Sequence, residues 1–163
     1  MQPSKEQILA YLSEVKDPEI PVLDVVEMGI VRDVRLDGDT LRVDITPTYS
    51  GCPAMKAIEE EIVRAMKAKG FDEVVVHTVF KEAWTTDWMT NEAKHKLSAY
   101  GIAPPEKTSD ESWRPFQRAS KTVACPFCGS EATTLTSEFG STACKALRYC
   151  TTCQQPFEHF KCI

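Results

Sequence analysis

Two sets of cysteines carry most of the chemistry this chain could perform. Cys125-Pro126-Phe127-Cys128 and Cys150-Thr151-Thr152-Cys153 form the pattern C-x2-C-x21-C-x2-C. Two residues between paired cysteines let both thiolates reach one ion from a tight turn, and Gly129 supplies backbone freedom just after the first pair. The 21 intervening residues suit a returning hairpin that sets the second pair opposite the first. Four thiolates leave no open coordination position, so Cys125, Cys128, Cys150 and Cys153 are expected to hold a structural ion. Zinc is favoured over iron because nothing nearby suggests electron transfer, although the spacing by itself also fits a rubredoxin-like iron site. A module of about forty residues is too small to stay folded on its core alone, so the ion should contribute much of its stability.

The second candidate is a single thiol, Cys52, in Thr46-Pro47-Thr48-Tyr49-Ser50-Gly51-Cys52-Pro53. Proline favours the first position of a helix, which would make Cys52 the N-cap. The helix dipole and its unpaired N–H groups would then stabilise a thiolate, Gly51 would allow close approach, and the hydroxyls of Thr46, Thr48 and Ser50 could donate hydrogen bonds. Such a thiol can act as a nucleophile, a redox sensor, or one ligand of an ion or cluster shared with another molecule. The bland alternative is a buried small side chain before a helix. His77 and His95 are the distant histidines a Cys–His nucleophile would need. Asp17, Glu19, Asp24 and Glu27 cluster around a proline-rich turn. Capping explains most such runs, while carboxylates near a soft thiolate would also suit iron. Cys144 and Cys162 lie outside the tetrad and read as buried thiols, Cys144 being the possible additional one. His159 reads as a surface histidine rather than a fifth ligand.

Bulk properties narrow the classes. The 163 residues carry a net charge of −5 with 42% hydrophobic and 26% charged residues, an ordinary globular composition. No basic field exists to displace phosphate counterions, which argues against nucleic acid. No apolar run approaches the roughly 20 residues that span a bilayer, and Met1 to Glu6 lacks a leader pattern, so no membrane partner and a cytoplasmic location are expected. An odd count of seven cysteines in a reducing compartment favours metal over disulfides.

The elements that must position these groups read as an α+β chain: a small mixed sheet with flanking helices, then a zinc-ribbon-like β module. Ser4 to Val15 has helical apolar spacing with Ser4 as N-cap, ended by Pro18 and Pro21. Ile30 to Leu36 and Leu41 to Thr46 are strands joined by Asp37-Gly38-Asp39. Pro53 to Lys69 is a helix with an apolar stripe of Met55, Ile58, Ile62 and Met66. Glu73 to Phe80 is a third strand, and a further helix is expected from Asp87 to Tyr100 with Thr86 as cap. Trp84 and Trp88 read as core anchors. Residues 103–122 hold three prolines and few aliphatics, the composition of a linker between a domain at 1–102 and one at 123–163.

Asp17-Pro18-Glu19-Ile20-Pro21-Val22, Met28-Gly29-Ile30-Val31-Arg32-Asp33-Val34 and the Thr46-to-Pro53 segment resemble the metal–sulfur cluster biosynthesis domain of SufT-type proteins. That resemblance covers roughly residues 5 to 100. It implies a compact α+β fold and a part in iron–sulfur assembly or delivery, with Cys52 as the key residue. Trp84-Thr85-Thr86-Asp87-Trp88-Met89, Gly101-Ile102-Ala103-Pro104-Pro105, Phe139 to Lys145, Pro156 to Lys161 and the terminal cysteines extend the likeness over essentially the whole chain to the PaaD family of phenylacetate catabolism. The resemblance implies a non-catalytic accessory protein required for the multicomponent phenylacetyl-CoA epoxidase. The implied clients are its iron–sulfur reductase, its di-iron oxygenase, or both. Cargo would be transient iron or an iron–sulfur cluster, held by Cys52 with help from Asp17, Glu19, Asp24, Thr46 and Thr48. One thiol cannot hold a cluster alone, so a homodimer or ligation shared with a client is expected. Two other readings stand beside this: a structural subunit of the oxygenase complex, and a thiol-dependent enzyme using Cys52.

Overall fold

The computed structural model describes residues 3–106 and 122–161, which fall into two compact units divided between Thr90 and Asn91. That division lies ahead of the 102/103 boundary expected above. Most of the expected linker, 107–121, and Cys162 lie outside the described residues.

In the first unit α1 spans Lys5–Leu12, and Ser4 caps it with a reciprocal bond to Gln7. Strands β1 (Val31–Asp37) and β2 (Thr40–Ile45) form an antiparallel hairpin. Helix α2 (Ala54–Ala68) then carries the chain across to β3 (Glu73–Thr78), which lies parallel to β2. The sheet order is β1-β2-β3, so β2 is central, and its alternate residues Leu41, Val43 and Ile45 are fully buried. The α2 stripe of Ile58, Ile62 and Met66 is buried with them, together with Ile8 and Leu12 of α1.

The expected helix from Asp87 to Tyr100 is broken in two. A single 3-10 turn, Thr86–Trp88, is capped by the Thr85 hydroxyl; Met89 is extended, and α3 begins only at Asn91, running to Ala99. The tryptophans explain the break. Trp84 is buried with its indole N–H on the Met28 carbonyl at 2.9 Å, whereas Trp88 is half-buried beneath the Arg32 guanidinium, 3.5 Å from the ring centre. Two anchors four residues apart with different partners override helical continuity.

The second unit holds α3 and a four-stranded sheet in the order β4-β7-β6-β5. Strand β4 is Ile102–Ala103, β5 Thr133–Ser137, β6 Lys145–Cys150 and β7 Pro156–Phe160. The central pairings β5–β6 and β6–β7 are antiparallel, and β4 adds in parallel beside β7. Ala103 is thus a buried strand residue rather than the start of a linker. Val123, Cys125, Cys150 and Phe157 pack around it.

Candidate metal centre and the Cys52 thiol

The two cysteine pairs are held by twin turns. The Cys125 N–H donates to the Ser130 carbonyl and the Cys150 N–H to the Gln155 carbonyl, each closing a loop of the same length. In each loop the residue four places after the first cysteine has a left-handed backbone: Gly129 at φ +74° and Gln154 at φ +58°. Gly129 is legible in the sequence. Gln154 is not, because a glutamine gives no signal of a conformation that costs it about 1–2 kcal/mol.

These turns bring four sulfurs together. All ligand atoms of Cys125, Cys128, Cys150 and Cys153 lie within 4.8 Å of one another. Cys125 and Cys153 Sγ are 3.7 Å apart, and Cys128 and Cys150 Sγ are 3.6 Å apart. Four sulfurs placed tetrahedrally at about 2.3 Å from one ion would stand about 3.8 Å apart. The donor set therefore fits a tetrahedral thiophilic ion.

The thiols behave as ligands waiting for charge. Backbone N–H groups of Cys153 and Thr152 pull the Cys150 thiol down to about 6, whereas burial and the neighbouring thiols push Cys153 up to about 12. One thiolate forms readily and the last resists. A divalent cation removes that conflict by neutralising the sulfurs.

Cys52 is built differently. Strand β2 ends at Ile45, and the chain turns through the buried Thr46, Pro47 and Thr48 before reaching it. The Cys52 N–H bonds the Tyr49 carbonyl, closing a turn over Ser50 and Gly51. Gly51 takes φ +77°, and the space where its side chain would stand is open. The helix starts one residue later than expected: Pro53 occupies the cap of α2, and Cys52 lies just before it, its carbonyl accepting the Met55 N–H at 3.3 Å. Its thiol is half-buried, within reach of solvent.

The acidic turn lies at the same end of the sheet, since Val31 pairs with Ile45 and the Thr46 N–H bonds the Ile30 carbonyl. Its carboxylates are occupied with backbone. Asp17 accepts the N–H groups of Glu19 and Ile20 at 2.8 Å. Asp24 accepts those of Val26 and Glu27 at 2.9 Å, and Glu27 reaches back to the Asp24 N–H at 3.0 Å. Burial raises the Asp24 carboxyl above its ordinary value against these bonds. Glu19 is half-buried. Among the described residues, no trio of His, Cys, Asp or Glu outside the tetrad brings its ligand atoms as close. The acidic turn and the start of the Cys52 loop share one end of the sheet, and among the described residues they form no ready-made ion cage.

Cys144 is buried, with its sulfur 3.0 Å from the Thr142 hydroxyl. His159 is not the surface residue expected: its Nε2 is buried, and desolvation, with Arg148 and Lys161 nearby, lowers it to about 4.

Comparison with known proteins matches the two regions to two families. Residues 5–77 match the family described as iron-sulfur cluster assembly protein, and residues 109–161 match the PaaD zinc beta ribbon domain. The chain is 48% identical over 161 residues to an Escherichia coli protein named as a putative subunit of 1,2-phenylacetyl-CoA epoxidase, covering 99% of this chain and 94% of that one. It is 38% identical over 95 residues to the Fe-S protein maturation auxiliary factor YitW of Bacillus subtilis, covering 57% of this chain and 92% of that one. Among solved structures, a DUF59 domain from Bacillus anthracis superposes with a TM-score of 0.53 at 28% identity, covering 57% of this chain and 90% of that one. With a curated relative matched along almost its entire length and both halves accounted for, the chain belongs to the PaaD family, an iron–sulfur assembly domain joined to a metal-binding β ribbon.

Proposed function

We propose that this protein is a non-catalytic factor that assembles or delivers iron, or an iron–sulfur cluster, for phenylacetyl-CoA epoxidase. Cys52 is the cargo ligand, and the Cys125, Cys128, Cys150 and Cys153 tetrad holds a resident zinc. The observation that carries this reading is the half-buried Cys52 thiol on an open turn, inside the segment that matches the iron–sulfur assembly family. Relatives of this segment are named Fe–S protein maturation auxiliary factors. A thiol that must accept and release an inorganic group needs access and an incomplete ligand set, and Cys52 has both features.

Cys52 supplies one donor, so the remaining ligands come from a second copy of this chain or from the client, the epoxidase reductase or oxygenase. Asp17 and Asp24 serve by holding the acidic turn, and Thr46 and Thr48 by anchoring the buried start of the Cys52 loop. Glu19 is the most exposed carboxylate of that turn. Zinc suits a closed four-thiolate site with a structural role, which leaves iron as cargo. Among the described residues no helix is long and apolar enough to cross a membrane. We place the protein in the cytoplasm with its clients.

The test is a Cys52→Ser variant expressed with the epoxidase components. The expected result is a folded, zinc-loaded variant beside a reductase or oxygenase deficient in iron. Full iron loading of both clients would end the delivery reading. A second reading has its own support, because the Escherichia coli relative is named as part of the epoxidase. Stoichiometric co-purification with the assembled complex, unaffected by Cys52→Ser, would favour that scaffold role.

A further inference from the structure

The C-terminal sheet buries two cationic side chains and treats them differently. Lys145 on β6 is 3% exposed and meets Glu158 of β7 at 3.0 Å. Glu158 also accepts the Ser141 N–H at 2.7 Å. Against the upward pull of burial, those bonds hold its carboxyl below the ordinary range. Arg148, three residues along the same strand, is 7% exposed, and its Nε has no acceptor. A buried guanidinium without a counter-charge gives up hydration that nothing among the described residues replaces.

The register shows why nothing within the sheet answers it. Arg148 pairs with Leu135 on one side and Phe157 on the other. His159 pairs with Ala146 of β6 and Ala103 of β4. Residues directly opposite share a face, so Arg148 and His159 are diagonal neighbours among Leu135, Phe157, Ala146 and Ala103. Glu158, adjacent to His159 in sequence, points to the opposite face and is already committed to Lys145. His159 Nε2 is likewise buried without a partner. Two unmet nitrogens, one on a permanent cation, therefore sit on one apolar face.

We propose that Arg148 and His159 form a binding site for a carboxylate. The planar guanidinium donates from Nε, and the neutral imidazole donates from Nε2 in the tautomer that carries its proton there. Two sp2 donors beside an apolar wall match the two oxygens and short apolar stem of a carboxylate better than the many acceptors of a phosphate. The carboxylate belongs to a small molecule or to an Asp or Glu side chain of a partner.

The test uses the full-length, metal-loaded chain, with acetate as probe at constant ionic strength and imidazole NMR as readout. The three histidines give an internal control. A saturable change is expected at His159 and not at His77 or His95. Arg148→Met should weaken it about tenfold or more, from loss of a charge-assisted bond. Absence of a saturable change at His159 in the native chain would overturn the site, whatever the variant does to folding. Saturation by inorganic phosphate with no response to acetate would overturn the carboxylate assignment. A second arm, which rests on the client reading above, identifies the source. Weaker capture of the epoxidase components by Arg148→Met, or their displacement by acetate, assigns the carboxylate to a partner protein. Acetate binding with unchanged capture assigns it to a small molecule.

Discussion

The tetrad and Cys52 are two thiol sites in one chain, and they differ in completeness. In the tetrad, twin turns, one ahead of β5 and one between β6 and β7, set four sulfurs at tetrahedral spacing, two of the cysteines, Cys125 and Cys150, being buried. Cys52 offers one half-buried sulfur on an open turn before a helix. A closed set of ligands keeps an ion, because every donor must leave together. A single donor releases it, because the other ligands belong to something that can depart. Resident metal and travelling metal thus call for opposite designs, and under the function proposed above this chain carries both.

The strongest way to break that contrast is to open the tetrad. Cys150→Ser, or removal of the ion by a strong chelator, should unfold the second unit, because structural zinc sites contribute on the order of 10 kcal/mol or more. Amide NMR would show β5, β6 and β7 collapsing while the α2 and β1–β3 signals persist. Survival of the β6–β7 pairing without metal would mean that the ribbon is held by its apolar contacts, and the contrast would lose one pole.

A smaller effect separates positioning from ligation at the other pole. Asp24→Ala removes the acceptor for two N–H groups, one buried and one part-buried, and should cost about 1–3 kcal/mol in denaturant unfolding. Asp24→Asn keeps an acceptor and discards a desolvated charge, so it should cost much less. The sign agrees with the raised carboxyl: in the folded state ionisation is disfavoured, so neutralising the group lightens a burden that exists at neutral pH. Equal losses in both variants, together with lost cargo, would make Asp24 a ligand rather than a cap.

The twin turns themselves can be sharpened. Gln154→Gly should stabilise the second unit by about 1 kcal/mol, since glycine adopts φ +58° without the strain a glutamine bears. Destabilisation would show that the Gln154 side chain has a task of its own.

Much of this was open to reading from residue types, and the exceptions share a cause. C-x2-C spacing, the α2 stripe and the Asp37-Gly38-Asp39 hairpin are local signals, and the fold keeps them. The helix expected through Trp88 fails because Trp84 seeks Met28 while Trp88 stacks under Arg32, partners more than fifty residues away in sequence. The parallel pairing of Ile102 and Ala103 with β7 is equally non-local, and two residues after a glycine gave no hint of it. His159 looked exposed because its burial depends on neighbours from β6 and β4. The expected Cys52 cap is off by one residue: the helix proper begins at Ala54, and Pro53, though already helical in its dihedrals, takes the cap position.

The smallest effect on stability should accompany the largest effect on function. Cys52→Ser exchanges one half-buried sulfur for a hydroxyl on a turn held by backbone bonds, by the buried Thr46, Pro47 and Thr48, and by the Gly51 conformation, none of which needs the thiol. Unfolding free energy should shift by no more than about 0.5 kcal/mol. The tetrad should keep its full complement of metal, because its four sulfurs come from a separate unit. Cargo iron bound after anaerobic reconstitution should fall to background by metal analysis, since no other trio of ligands among the described residues is assembled to replace it. A variant that retains cargo iron in proportion to zinc would place that iron in the tetrad, and the distinction between a metal that stays and a metal that moves would fail at its root.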